Sequence, residues 1–204
     1  MLEISLEDFF HKLIVIIREI MDYKNEGSKE AKGHARSSKE TEMTVAGNLS
    51  KDGKTLDLTA CYLKEYGAKD ISRMESLKEL TNLELGTNLI GPKGVRFIAQ
   101  SDVLTNLTSL NLFYNAIGND GVKCVAISDN LLSLQNLVLS DNNITDEGAK
   151  IMAKFLPLFT NLVRLDMRLN KIKEDGKEAL LDAQKKSTVK HLLLDKVEGF
   201  QVKS

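Results

Sequence analysis

Apolar residues along most of the chain recur in one pattern, which joins a short strand to an amphipathic helix. In the stretch 134–144, LQNLVLSDNNI, leucine or isoleucine occupies the first, fourth, sixth and last positions. Because side chains alternate across a strand, the fourth and sixth residues point inward and the residue between them points to solvent. The next stretch, TDEGAKIMAKFL, begins with Thr145 as an N-cap, and its apolar residues then follow helical spacing. One such unit cannot bury its own apolar face, so the pattern predicts that copies stack against it.

The copies are present along the chain. Strong copies begin at Leu80, Leu107 and Leu162, and weaker ones cover 53–63 and 189–197. Three kinds of residue keep a spacing of 27, 27 and 28: the inner leucines Leu83, Leu110, Leu137 and Leu165; the asparagines Asn88, Asn115, Asn142 and Asn170; and the glycines Gly94, Gly121, Gly148 and Gly176. We expect the asparagines to form a buried ladder that satisfies backbone groups, and the glycines to allow close packing of helix against turn. Helices are predicted at 67–77, 92–100, 119–128, 145–156 and 174–186.

The first quarter of the chain lacks the repeat. Residues 5–23 carry a wide apolar stripe at helical spacing and predict an amphipathic helix. Residues 24–43 are almost wholly polar and predict a flexible linker. Between 44 and 58, the turn signal Asp52-Gly53 predicts a short strand or hairpin that protects the first edge of the sheet. The predicted domains are therefore a helix at 1–23, a linker at 24–43 and a repeat domain at 44–204, with about six repeats of which the first and last are degenerate.

An amphipathic helix at 1–23 is not expected to stay in water alone. It is expected to cover an end or flank of the repeat stack. A contact between two copies of the chain, capture of a partner and adsorption to a membrane surface are the alternatives. The longest uninterrupted apolar run, 13–17, is far shorter than the ~20 residues of a membrane span, so no span is predicted.

Charge and composition exclude several classes of function. The formal net charge of −1 gives no reason to expect nucleic acid or an anionic membrane as the main partner. Two cysteines cannot form a disulfide framework and no secretory signal is visible, so a cytoplasmic location is expected. No phosphate-loop, zinc-spacing or serine-hydrolase motif occurs, and the three histidines lie on unrelated segments. We therefore expect no cofactor, no metal and no catalytic residue.

The motif L-x-x-L-x-L-x-x-N-x-I, followed by a glycine-containing helix at 27 to 28 residues, resembles the ribonuclease-inhibitor-like subfamily of leucine-rich repeat proteins over about residues 53–197. The resemblance implies an α/β leucine-rich repeat solenoid, a right-handed β-α superhelix with parallel strands on the concave side and helices on the convex side. Most such proteins are interaction scaffolds, among them inhibitors, immune receptors, GTPase-activating proteins and bacterial effectors. It therefore implies a non-catalytic module that binds a protein partner on the strand face, in the setting of a bacterial effector in a host cytoplasm. The alternative is a GTPase-activating or other regulatory enzyme activity, with Arg168 as a charge-stabilising finger.

Candidate binding residues are those that the repeat leaves free on the strands. Phe113 and Tyr114 are adjacent in the third repeat, and Arg168 lies two repeats further on. Aromatic residues and arginine surrounded by carboxylates resemble interface hot spots. Strands are ~4.8 Å apart, so Tyr114 and Arg168 are expected roughly 10 Å apart, a spacing that suits a protein surface. The predicted protein-binding residues are Glu84, Asn111, Phe113, Tyr114, Asp141, Asp166 and Arg168.

Two alternatives stay open at these positions. Phe113 or Tyr114 could instead pack against neighbouring turns. The acidic column of Asp57, Glu84 and Asp166 is consistent with a basic partner, and equally with carboxylates that are simply solvated.

Overall fold

The repeat units form one parallel sheet with a strand from each unit. The computed structural model describes residues 37–196, which fall within one compact unit of the chain. Each strand pairs in parallel with the next along the chain, and the inner leucines lie opposite one another, as in Leu83↔Leu110 and Leu110↔Leu137. The strands are β1 Thr55–Asp57, β2 Asn82–Glu84, β3 Ser109–Asn111, β4 Asn136–Val138, β5 Arg164–Asp166 and β6 His191–Leu193. The predicted α/β solenoid with parallel strands is confirmed, and the two weak flanking copies contribute β1 and β6.

Helices alternate with the strands and pack side by side in chain order. They are α1 Ser38–Asn48, α2 Lys64–Ile71, α3 Gly91–Ala99, α4 Gly118–Ala126, α5 Asp146–Phe155 and α6 Glu174–Gln184, with short 3-10 turns at Glu75–Leu77, Asp129–Leu131 and Leu156–Leu158. The helix predicted at 67–77 is wrong at both ends. It begins at Lys64 and stops at Ile71, because Met74 is extended (φ −77°, ψ 102°) and separates the helix from the 3-10 turn.

The core lies between the strands and helices α2–α6. In the unit of β4, the strand residues Leu137 and Leu139, the turn residue Ile144 and the helix residue Met152 are all completely buried. The repeat glycines allow this close packing, because a Cβ on Gly121 would lie 2.5 Å from Cβ of Ile117. The structural role predicted for these glycines is thereby confirmed.

The asparagine ladder runs through the turns that follow the strands. The side chain of Asn115 accepts hydrogen bonds from the N–H groups of Asn88 (3.1 Å) and Ile90 (3.3 Å), both in the preceding turn. Its amide donates to the carbonyls of Leu85 (2.8 Å) and Phe113 (3.0 Å). Asn88, Asn142 and Asn170 are bonded in the same manner. Each asparagine therefore joins two turns, as the sequence predicts.

The first edge of the sheet is covered by a helix, which corrects two predictions. Residues 38–43 were expected in a flexible linker and 44–48 in a strand or hairpin, but all of them belong to α1. A capping box starts this helix, since Ser37 Oγ accepts from the N–H of Glu40 and Glu40 Oε2 accepts from the N–H of Ser37. The Asp52-Gly53 turn is confirmed, but the strand before it is reduced to one antiparallel bridge, Leu49↔Leu56. The predicted helix at 5–23 and the linker up to residue 36 lie outside the described residues.

The last unit within residues 37–196 is less buried than the units before it. The inward residues Leu192 and Leu194 of the β6 unit are partly exposed, whereas the equivalent Leu165 and Met167 of the β5 unit are at most 1% exposed.

No helix within residues 37–196 is long and apolar enough to cross a membrane.

The one spacing of 28 residues, between Leu137 and Leu165, does not disturb the register of the strands. Leu137 pairs with Leu165 like every other inner leucine. Gly121 and Gly148 are still 27 residues apart, whereas the buried Leu131 and Phe159 are 28 apart. The additional residue is therefore accommodated on the helix side, near the end of α5.

Candidate protein-binding surface

The outward side chains of the strands form what we call the strand face, which consists of three rows. In each of β1 to β4 the middle residue is buried and its two neighbours are not. The middle row contains Asp57, Glu84, Asn111, Val138, Asp166 and Leu193, and the third row contains Thr59, Gly86, Phe113, Ser140, Arg168 and Asp195. The sequence prediction missed the first row, which contains Thr55, Asn82, Ser109, Asn136, Arg164 and His191. Strand alternation alone could have identified it, because the residue before each inner leucine lies on the same face as the residue after it.

Phe113 and Tyr114 are adjacent to one another on this surface. Their ring centroids are 6.0 Å apart and the rings are tilted by 38°. Tyr114 is 49% exposed and Phe113 is partly exposed. The N–H of Phe113 donates to Asn111 Oδ1 (2.9 Å), and Asn111 Nδ2 donates to Glu84 Oε2 (2.7 Å). Four of the predicted binding residues are therefore joined in one connected group across β2 and β3.

Asp166 is not available for contact with a partner, which corrects its assignment to the binding surface. It is 2% exposed, because two arginines lie against its carboxylate. Arg168 donates from Nε to Oδ1 (2.9 Å) and from Nη2 to Oδ2 (2.6 Å), and Arg164 donates from Nη2 to Oδ2 (3.3 Å). The side chains of Arg164 and Arg168 are 45% and 50% exposed. Asp166 thus positions the side chains of Arg164 and Arg168, and these two side chains are the ones exposed on the strand face.

The electrostatics of this cluster keep Asp166 ionised. Burial alone would raise the pKa of Asp166. The hydrogen bonds from the side chain and N–H of Arg168, the charge of Arg168 and the hydrogen bond from Arg164 outweigh burial, so the pKa lies below its ordinary value. The same hydrogen bond to Asp166 is the main cause that raises the pKa of Arg168. The ion pair is therefore charged on both sides at neutral pH.

Residues flanking the ladder asparagines, or flanking Cys61 at the matching position of the first unit, adopt left-handed backbone. The φ angles of Tyr62, Leu89, Tyr114 and Leu169 lie between 51° and 57°, although none of them is glycine. These four residues are 49–63% exposed and are among the largest exposed apolar side chains. Asp141 has the same backbone conformation (φ 55°), and its N–H donates to the carbonyl of Arg168 (3.0 Å). Asp141 therefore lies in the turn after β4, between the aromatic pair on the β3 side and the arginines on the β5 side.

The strand face presents exposed apolar area beside charged side chains. Among residues 37–196, no group of three or more His, Cys, Asp or Glu side chains is placed to hold a metal ion. The aromatic group and the arginine group are separated by one strand, β4.

A comparison with protein families agrees with this architecture. A family model described as "Leucine Rich repeat" matches residues 103–126 and 130–153, two successive units of the stack. No curated protein matches the chain. Among solved structures, the chain is similar to an internalin from Listeria monocytogenes, with 17% identity and a TM-score of 0.41. The alignment covers 81% of this chain and 52% of the internalin chain, so this chain spans about half the length of that structure. The repeated strand–turn–helix units, the single parallel sheet and the family match together establish that the fold of this chain is a leucine-rich repeat solenoid.

Proposed function

We propose that this protein is a non-catalytic interaction module whose strand face binds a protein partner. The observation that carries the proposal is the aromatic pair Phe113 and Tyr114, partly exposed just after β3 and two strands from the exposed pair Arg164 and Arg168 of the same sheet. Tyrosine and arginine are enriched among residues that contribute most to protein–protein binding. The 27- to 28-residue units, each with a helix, also support assignment to the ribonuclease-inhibitor-like subfamily.

Two carboxylates on the strand face, Asp57 and Asp166, suit recognition better than proton transfer. The N–H and side chain of Thr59 lower the pKa of Asp57, and Arg168 holds the pKa of Asp166 down. A general acid or base works best with a pKa near the working pH. These carboxylates are instead fixed in their ionised form, which favours a role in electrostatic complementarity.

The alternative of a GTPase-activating activity depends on Arg168. An arginine finger must reach into the active site of another protein and stabilise charge there. Here two of its nitrogens are already bonded to Asp166, at 2.9 and 2.6 Å. That geometry supports a fixed place on this chain's own surface and disfavours insertion into a partner.

A capture experiment with matched variants tests the proposal. Phe113→Ala/Tyr114→Ala removes the aromatic pair, and Leu158→Ala removes a 51% exposed apolar side chain from the 3-10 turn after α5. We expect a protein captured from cell lysate by wild type to be retained by Leu158→Ala and lost by the aromatic double variant, with thermal unfolding of both variants close to wild type. Arg168→Ala is a poorer probe, because it would leave the buried carboxylate of Asp166 short of its main partner. Equal capture by all three proteins would contradict the proposed surface.

A further inference from the structure

The strand face carries its charges in a fixed order along the stack. Acidic side chains lie at one end, with Asp57 on β1 and Glu84 on β2. Phe113, just after β3, and Val138, on β4, are both partly exposed and lie in the middle. Arginines lie toward the other end, on and just after β5, with the carboxylates of Asp166 and Asp195 beside them.

The arginine end is preorganised for a second carboxylate. Each guanidinium has five N–H donors. The hydrogen bonds to Asp166 use two nitrogens of Arg168 and one of Arg164, and both side chains are about half exposed. Because Asp166 already holds the guanidinium groups in place, binding a further carboxylate would cost little side-chain entropy. The nearby carboxylate of Asp195 accepts the N–H of Leu169 (2.7 Å).

The acidic end is preorganised for a basic side chain. Asp57 is exposed, and its Oδ1 accepts from the N–H of Thr59 (3.0 Å), which fixes its rotamer. Glu84 accepts from Asn111 through Oε2 (2.7 Å), so its position is fixed as well. Carboxylates held in this way attract a lysine or arginine at low cost in conformational entropy.

The distance between the two ends matches an extended chain. From β2 to β5 there are three strand spacings of ~4.8 Å, which together make about 14 Å. An extended segment rises ~3.3 Å per residue and presents every second side chain on one side. Residues i and i+4 are then about 13 Å apart, and residue i+2 lies over the middle of the span, near Phe113 and Val138.

We propose that the strand face binds an extended segment of a partner protein that crosses the strands and carries a basic, an apolar and an acidic residue at alternate positions, with the basic residue over β1 and β2 and the acidic residue over β5. The bound segment can run across the strands in either chain direction, because it would contact side chains of the strand face and no backbone groups. This inference rests on the proposed function and specifies the chemistry of the partner.

Peptide selection tests the inference directly. The probe is a phage-displayed library of random 12-residue peptides, selected on the chain of 204 residues. We expect wild type to enrich peptides with oppositely charged residues four positions apart and an apolar residue midway. The pair Asp57→Asn/Glu84→Gln should abolish the preference for the basic residue only.

The other end of the face needs a charge-balanced variant. The triple change Arg164→Gln/Asp166→Asn/Arg168→Gln removes the arginines without leaving a buried carboxylate unpaired, and should abolish the preference for the acidic residue only. A selected peptide should bind either variant about five- to tenfold more weakly, the size expected for charged contacts at a surface. Replacing the matching charge of the peptide by glutamine should then cause no further loss.

A control and the remaining outcomes separate the two proposals. Lys150→Gln/Asp175→Asn removes an ion pair between α5 and α6 and should leave the selection unchanged. Wild type could enrich peptides that the variant Phe113→Ala/Tyr114→Ala does not bind, yet whose charges stand at random positions. That outcome would overturn this inference and leave the proposed function standing. Failure to enrich any peptide would also overturn the extended-segment inference, and the capture experiment would still decide the proposed function. If the aromatic double variant selects the same peptides as wild type, the strand face is not the binding surface and both proposals fail.

Discussion

Replacing Asn142 by alanine tests the ladder at a completely buried position. The side chain of Asn142 accepts from the N–H groups of Asn115 (2.9 Å) and Ile117 (3.4 Å), and donates to the carbonyl of Leu112 (2.8 Å). Alanine would leave these three backbone groups without that partner. A buried polar group that loses its partner costs roughly 1–3 kcal/mol. Because the bond to Ile117 is long, we expect a loss of about 3–6 kcal/mol in the free energy of unfolding.

The two other bonds of the Asn142 amide add less to this loss. The carbonyl of Leu139 keeps its bond from Asn170 (3.0 Å), and the carbonyl of Ser140 keeps its bond from the N–H of Tyr114 (3.1 Å). The expected loss is nevertheless a large share of the roughly 5–15 kcal/mol typical of a domain. The variant should therefore unfold at much lower denaturant.

The assay combines a global and a local measurement. Urea unfolding followed by circular dichroism gives the change in free energy. Hydrogen exchange of the amides of Asn115 and Ile117 reports the ladder itself, and both should lose protection in Asn142→Ala. Asn161→Ala is the matched control, because Asn161 is exposed and its bond to the carbonyl of Leu132 is long (3.4 Å). A loss below about 1 kcal/mol with unchanged protection at both amides would refute the reasoning.

Three further predictions concern the core and the buried carboxylate. Gly121→Ala should destabilise the protein, since its Cβ would lie 2.5 Å from Cβ of Ile117, whereas Gly47→Ala in α1 meets nothing within 4 Å and should stabilise by up to about 1 kcal/mol in the same urea assay. Leu137→Ala should cost roughly 2–5 kcal/mol through a core cavity, and a smaller value by calorimetry would mean that the neighbouring units collapse into it. For Asp166 the folded pKa is lowered, so its stabilising contribution is present above the unfolded pKa of about 3.9 and is lost as pH falls below that value. The difference in stability between wild type and Asp166→Asn should therefore be full at pH 7 and disappear in acid, and a difference independent of pH would contradict this account.

The sequence predicts the repeating parts of the fold well, for physical reasons. Alternation within a strand requires the inner leucines to face the core, and the observed register pairs them. An asparagine in each of the four central turns can satisfy backbone groups that the strand leaves unpaired, and the ladder bonds are of this kind. Both predictions rest on residues that recur from unit to unit, so an atypical residue in one unit does not change the prediction.

The parts that sequence reasoning missed depend on single residues and on neighbours distant in sequence. Alternation shows that Asp166 faces outward, but it does not show that Arg164 and Arg168 cover it. Composition suggested a linker before residue 44, whereas the capping box of Ser37 and Glu40 starts a helix there. The capping signature Ser-x-x-Glu was present in the sequence and could have identified this helix.

Because the strand side keeps a fixed register while the helix side accommodates an extra residue, the strand face can be lengthened by whole repeat units. Duplication of residues 110–136, one period of 27, should insert a complete turn whose asparagine bonds to the turns before and after it as Asn115 and Asn142 do now. The span of the sheet would grow by one strand width, ~4.8 Å, and a second phenylalanine–tyrosine pair would stand beside the first. Adding repeat units would thus extend the strand face without any change to the units already present.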